Sequence, residues 1–159
     1  MAELMDMPRA KATFEALCRT MDANDWQYKS DEESLSIQCG IQGDDLPMEI
    51  VVNVDAKRSV VVLFSRIPFP VPEDKRLQLA VAVSVVNNRL VDGSFDFDVK
   101  SGKMFFRLTN SFMDSTLGSD VFTYMLAVSC NTIDEYNDKF LMLSKGMLSL
   151  EQFLAAEAK

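Results

Sequence analysis

Histidine is absent from all 159 residues, and with it go the commonest general base and the commonest zinc ligand. The three cysteines, Cys18, Cys39 and Cys130, are odd in number and widely separated, and none stands in a C-x-x-C pair. They read as reduced, mostly buried thiols rather than a zinc set or a disulfide framework. No G-x-S-x-G, Walker loop or dinucleotide glycine pattern occurs either. Lysine, carboxylate or cysteine chemistry is the only enzymatic route left. No catalytic, cofactor-binding or metal-ligating residue is assigned, and no enzyme is expected.

Positive charge is also scarce. Lysine and arginine number 16 against 24 aspartates and glutamates, a net charge of -8 with a pI near 4.5. Such a chain repels phosphate backbones, and no basic stripe with interleaved aromatics offsets this, so nucleic acid is not an expected partner. Long apolar runs are missing too. The most apolar window, Leu77 to Val86, falls far below the roughly 20 residues a membrane helix needs, and MAELMDMPRAK lacks the apolar core of a signal peptide. These absences point to a cytoplasmic protein with no membrane partner.

What is present is an ordinary globular composition, 48% hydrophobic and 25% charged. A chain of this length buries roughly 68 to 70% of the surface its unfolded form exposes. One domain over residues 1–159 is therefore expected. Asp6 and Pro8 mark the start of a helix whose Phe14, Leu17, Cys18 and Met21 share one face. Trp26 and Tyr28 then alternate with polar residues, which reads as an extended segment of uncertain length. Leu35, Ile37, Cys39 and Ile41 alternate with Ser34, Ser36, Gln38 and Gly40 as a strand with one buried face. Met48, Ile50, Val52 and Val54 continue the inward pattern, and Val60, Val62 and Phe64 are read as its third strand, closing an antiparallel meander.

Three prolines between Ile67 and Pro72 interrupt the sheet and lead into a helix begun by Glu73 and Asp74. From Leu77 to Val86 only Gln78 and Ser84 are polar, so this helix has almost no wet face and must be covered on more than one side. Its valines favour strand, but the run from Pro72 to Leu90 is too long for one, and Asp92 with Gly93 ends it. Phe95, Phe97 and Val99 then pair with Met104, Phe106 and Leu108 across a turn at Ser101 and Gly102. Ser119 can cap a long helix with an apolar seam of Phe122, Leu126, Ser129, Ile133, Tyr136, Phe140 and Leu143. Gly146 stops that helix, and Ser149 with Gln152 forms a capping box for a short last one over 149–158. The fold class is α+β in the order αβββαββα(α).

Few residues suggest chemistry. Asp96 and Asp98 resemble an acid–base pair or oxygen ligands, but Lys103 and Arg107 project from the facing strand to the same side, which predicts a solvated charge ladder. Asn87 and Asn88 stand at the end of an apolar helix. Their amides either satisfy helix-end and loop backbone groups or form a small polar ligand site. The outward strand positions are more suggestive: Val51, Val61, Leu63 and Phe105 should be polar if that face met only water. A contiguous patch there would bind a protein partner, whereas apolar residues exposed singly are common on any surface.

Taken together, FEALCRTMDANDWQYK, the strand meander, VPEDKRLQLAVAVSVVNNRLVDGSFDFDVKSGKMFFRL and FLMLSKGMLSLEQFL resemble the YbjN family of bacterial sensory transduction regulators. The most specific part is the Pro-Glu start, the apolar helix ending in Asn87 and Asn88, Asp92-Gly93, and the strand carrying Phe95 and Phe97. The resemblance implies a fold like that of type III secretion chaperones, a twisted antiparallel sheet flanked by helices and usually dimeric, with residues 149–158 a C-terminal extension. It implies no catalytic motif. Two readings follow: a regulator or adaptor acting through protein–protein contacts, or a chaperone holding an extended client protein. A homodimer is expected because the central helix is too apolar to face water.

Overall fold

Helix α1 (Met7–Ala23) starts where the Asp6 carboxylate accepts the Arg9 amide at 3.1 Å, and it buries Phe14, Leu17 and Met21. The chain leaves it through a turn in which the Trp26 amide bonds back to the Met21 carbonyl. Strands β1 (Lys29–Asp31), β2 (Ser36–Gln42), β3 (Pro47–Asp55) and β4 (Val60–Arg66) follow. A 3-10 turn (Glu73–Lys75) leads into α2 (Arg76–Asn87); β5 (Ser94–Asp98), β6 (Lys103–Ser111), α3 (Ser119–Ser144) and α4 (Leu150–Glu157) complete the chain. This computed structural model describes residues 6–158.

The strands form one antiparallel sheet in the order β1-β2-β3-β4-β6-β5. The α+β class and the order of the main elements are as expected. The short strand β1 is additional: the extended segment after Trp26 pairs with β2 for three residues. The helices pack on one face, α1 against β3, α2 against β5 and α3 against β6, with α3 also touching α1 and α2. All seven seam residues of α3 are buried. Ser119 does not cap α3; it is already helical, and Gly118 holds the cap position without a side-chain bond. The Ser149–Gln152 capping box of α4 is present in both directions.

Strand β4 corrects the reading of its two faces. Val61 and Leu63 are 0% exposed, while Val60, Val62 and Phe64 lie on the opposite face and are half-buried. The pairs Val54↔Val61 and Val52↔Leu63 explain this, because directly opposed residues share a face and β3 has already committed Val52 and Val54 to the core. All five residues from Val60 to Phe64 are apolar, so hydropathy carries no alternation to read, and a shift of one residue inverts every side chain.

Helix α2 also ends earlier than Asp92. After Asn87 its bonding continues only as isolated turns, Asn88 to Ser84 and Leu90 to Val86. Its start is tied to the β5–β6 hairpin: the Arg76 guanidinium donates to the carbonyls of Val71 (3.1 Å) and Lys100 (2.5 Å). Gly102 completes the tie. Its φ of +73° is left-handed, its carbonyl accepts the Val71 amide, and a Cβ there would overlap the Val71 carbonyl oxygen. At the far end of α2, Arg89 and Lys139 both pair with Glu157 (2.9 and 3.2 Å), whose side chain is 7% exposed, fastening α4 to α2 and α3.

Candidate protein-binding surface

The helices cover one face of the sheet and leave the other to solvent, so the residues of that second face define the candidate surface. Register places Val51 opposite Phe64, and Phe64 opposite Arg107. Val62 lies two residues from Phe64 on the same strand, and Phe105, opposite Arg66, is its diagonal neighbour. Val51, Val62, Phe64 and Phe105 thus form one apolar stripe across β3, β4 and β6. Of the four residues expected to face outward, the structure puts Val51 and Phe105 on this face and Val61 and Leu63 in the core. Val62 and Phe64 take their places. Beside the stripe, between the β3–β4 end and the proline loop, a hollow of about 470 Å³ is lined by Glu49, Arg66 and Phe69.

The polar residues singled out from the sequence have structural partners. Arg107 Nε lies 2.8 Å from Asp96 Oδ2 on this same face, a half-exposed pair worth about 0.2–1 kcal/mol. Asp98 turns instead to the hairpin, accepting the Lys100 amide (3.0 Å) and the Ser101 hydroxyl (2.6 Å). These bonds, the serine's foremost, hold its carboxyl below the usual range. Asn87 accepts the Phe95 amide (2.8 Å) and donates to the Phe95 carbonyl (2.9 Å), using its side chain fully on the β5 edge. Asn88 is exposed. The three thiols are free, and burial pushes each upward, Cys130 to about 11, so none is a poised nucleophile. Among the described residues no group of three or more acidic or cysteine side chains is arranged to hold a metal.

Of two further features, the apolar face of α2 agrees with the expectation that this helix has almost no wet face, and the cavity beside β2 escaped the sequence reading. Helix α2 exposes Leu77 (77%) and Val81 (44%), one turn apart on the side away from the core. Between the end of α1, strand β2 and α3 lies a cavity of about 520 Å³, lined by Trp26, Cys39, Ile41, Leu126, Ala127 and Cys130. Acidic residues gather where β2 leaves this cavity. Asp134 accepts the Asp44 amide (2.9 Å), and Asp138, Asp134 and Asp44 together push the Asp45 carboxyl upward. The one signal in the sequence was Gly40, an isolated glycine inside a strand, which marks a place where backbone is left uncovered.

The helix-flanked antiparallel sheet is similar in fold to the type III secretion chaperones. The solved structures confirm that likeness. The ExsC-ExsE complex matches with a TM-score of 0.58 at 16% identity over 81% of this chain and 93% of that one. The HopA1-SchA chaperone-effector complex matches with 0.56 at 15% identity over 84% and 98%. YbjN from E. coli, described as "a putative transcription regulator", matches with a TM-score of 0.57 at 12% identity over 79% of this chain and 92% of that one. A family model described as "Putative bacterial sensory transduction regulator" matches residues 13–142, and the chain belongs to this family, YbjN. Among curated proteins none matches.

Proposed function

We infer that this protein is a non-enzymatic binding module, a bacterial regulator or adaptor that acts through protein–protein contacts. The observation that carries the reading is the half-buried stripe of Val51, Val62, Phe64 and Phe105, an apolar row on a sheet face that none of the described helices covers. The family description and the fold support it. It is read as one cytoplasmic YbjN-like domain over 1–159, with 149–158 an addition held by Phe153 and Glu157; no helix among the described residues is long and apolar enough to cross a membrane. Affinity capture from the native bacterium tests the reading. Wild type is expected to retain a partner that rebinds when both proteins are purified, and the Phe64→Asp/Phe105→Asp double variant, with an unchanged melting temperature, to lose it. Equal retention by both forms, or no partner for either, overturns it.

The second reading is a chaperone that holds an extended client protein, favoured by the likeness to a chaperone–effector complex. Both readings include a homodimer, for which Leu77 and Val81 supply the exposed apolar face of α2. Sedimentation at micromolar concentration is expected to show a dimer for wild type and a monomer for Leu77→Asp. A wild-type monomer removes the dimer from both readings.

A further inference from the structure

Helix α1 ends in a left-handed turn that sets two side chains beside the cavity. Asn24 holds the C-cap and Asp25 follows with a φ of +54°. The amides of Asp25 and Trp26 bond back to the carbonyls of Asp22 and Met21, both at 3.1 Å, which fixes the two residues without help from the sheet. Trp26, the one tryptophan, is 37% exposed and stands outside the hydrophobic core. Among the described residues, neither its indole N–H nor the Asp25 carboxylate has a hydrogen-bond or ion-pair partner.

Both residues line the 520 Å³ cavity, together with Ile41 of β2 and Leu126 and Ala127 of α3. That volume lies within the range of small-molecule sites. Asp25 is the one charged residue of the lining, which holds no lysine or arginine. The charge just outside has the same sign. Asp134 stands one turn along α3 from Cys130 of the lining and accepts the Asp44 amide at 2.9 Å, with Asp45 and Asp138 close by. An anion is repelled here, and a neutral molecule leaves the carboxylate unused. Nor does the space suit an extended chain. Strand β1 pairs with β2 only from Ser36 to Gln38, but beyond it Gln27 lines both this cavity and a hollow of about 460 Å³ on the bare side, and so occupies the place beside Gly40 where a strand would add. What remains is an apolar chamber with an exposed aromatic ring next to an unpaired carboxylate, the combination that holds an ammonium group.

We propose that the cavity between α1, β2 and α3 binds a small organic cation, an ammonium group carried on an apolar aryl or alkyl body. The body lies against Ile41, Leu126 and Ala127, and the ammonium sits between the Trp26 ring and Asp25. The site is on the helix side of the sheet, apart from the stripe of Phe64 and Phe105, and it does not rest on the protein-binding reading.

The test titrates the full-length protein with phenylbutyl trimethylammonium and, in parallel, with phenylbutanol and phenylbutyrate, which keep the body and make the head neutral or anionic. Trp26 fluorescence and calorimetry measure affinity, and NMR amide shifts locate the ligand. Wild type is expected to bind the cation saturably with a sub-millimolar Kd, about tenfold tighter than the alcohol and tighter still than the carboxylate, with shifts at Trp26, Ile41 and Ala127. Asp25→Asn keeps a residue that tolerates the left-handed φ and removes only the charge. It is expected to bind the cation about three- to fivefold more weakly and the alcohol as wild type does. Ala127→Phe, which fills the cavity from the exposed side of α3, is expected to weaken the cation about tenfold or more with an unchanged melting temperature. Four results overturn the proposal: no saturable binding of the cation up to roughly millimolar, equal affinity for the three heads, an undiminished preference for the cation in Asp25→Asn, or undiminished binding by Ala127→Phe. Should Ala127→Phe not fold, wild-type shifts confined to residues outside the cavity overturn it instead.

Discussion

Val61→Asp is expected to abolish stable folding at neutral pH, whereas Val62→Asp, one residue along, is expected to change stability by no more than about 1 kcal/mol. The contrast comes from the pleat of β4. Val61 is fully buried opposite Val54, so an aspartate there has neither water nor a cation to receive it; an uncompensated buried charge costs about 3–5 kcal/mol beyond the lost packing. Val62 lies opposite Asn53 and Thr109 on the bare face, where water reaches it. The introduced carboxyl adds a pH signature. Burial raises its folded pKa above the unfolded value of about 3.9, so the variant is penalised least below that value and loses stability as pH climbs through the raised one. Urea unfolding at pH 7 and near pH 4.5, each set against wild type, checks both parts. A folded, wild-type-like Val61→Asp would mean that β4 presents its other face to the core.

The same strand shows where the sequence could be read and where it could not. In β2 a serine, two glutamines and a glycine separate the apolar residues, and in β3 Glu49, Asn53 and Asp55 mark the outer face around the single apolar Val51, so polarity assigns the faces, and Ile37, Cys39, Ile50 and Val52 are buried as the alternation says. In β4 five apolar residues follow one another, and the assignment passes to its pairing with β3, a non-local fact. The candidate surface inherited that ambiguity: half of its residues were named from the wrong side of one strand. The body of helix α3, though not its cap, was legible because its seam from Phe122 to Leu143 repeats every three or four residues over about six turns, too long for any competing pattern.

Edges are harder to see than faces. Nothing in KSD says that β1 begins only at Lys29; its start is set by where α1 releases the chain and by the hold on the Trp26 amide. The open part of β2 and its two hollows arise from that geometry, and in the sequence only Gly40 hints at them. Asp44 and Asp45 come from the β2–β3 turn and Asp134 and Asp138 from α3, 90 residues further on for the bonded pair Asp44 and Asp134, so their convergence is a property of the fold.

Phe95→Ala is expected to cost about 3–5 kcal/mol, the range for a large aromatic removed from a closed core, and to leave little of the roughly 5–15 kcal/mol that holds a domain folded. Phe95 is 2% exposed and meets three rings edge-on: Phe106 at 5.2 Å, Phe140 at 5.1 Å and Tyr136 at 6.1 Å between centroids. Phe140 passes the contact on to Phe153 of α4. One side chain therefore joins β5, β6, α3 and, through Phe140, α4. Its backbone is held separately by the paired bonds from Asn87, and Gly93, just before β5, has a left-handed φ of +74° at a point where a Cβ would also overlap the Phe106 ring. These neighbours are fixed by other bonds and cannot collapse to fill the space, which places the loss toward the upper end of the range. Asn87→Ala removes the backbone clamp without opening a cavity and is expected to cost less, about 1–3 kcal/mol for the unmade bonds. Chemical unfolding of the two variants ranks them: Phe95→Ala below Asn87→Ala supports ring packing as the main bond between sheet and helices, and the reverse order would assign that role to the clamp.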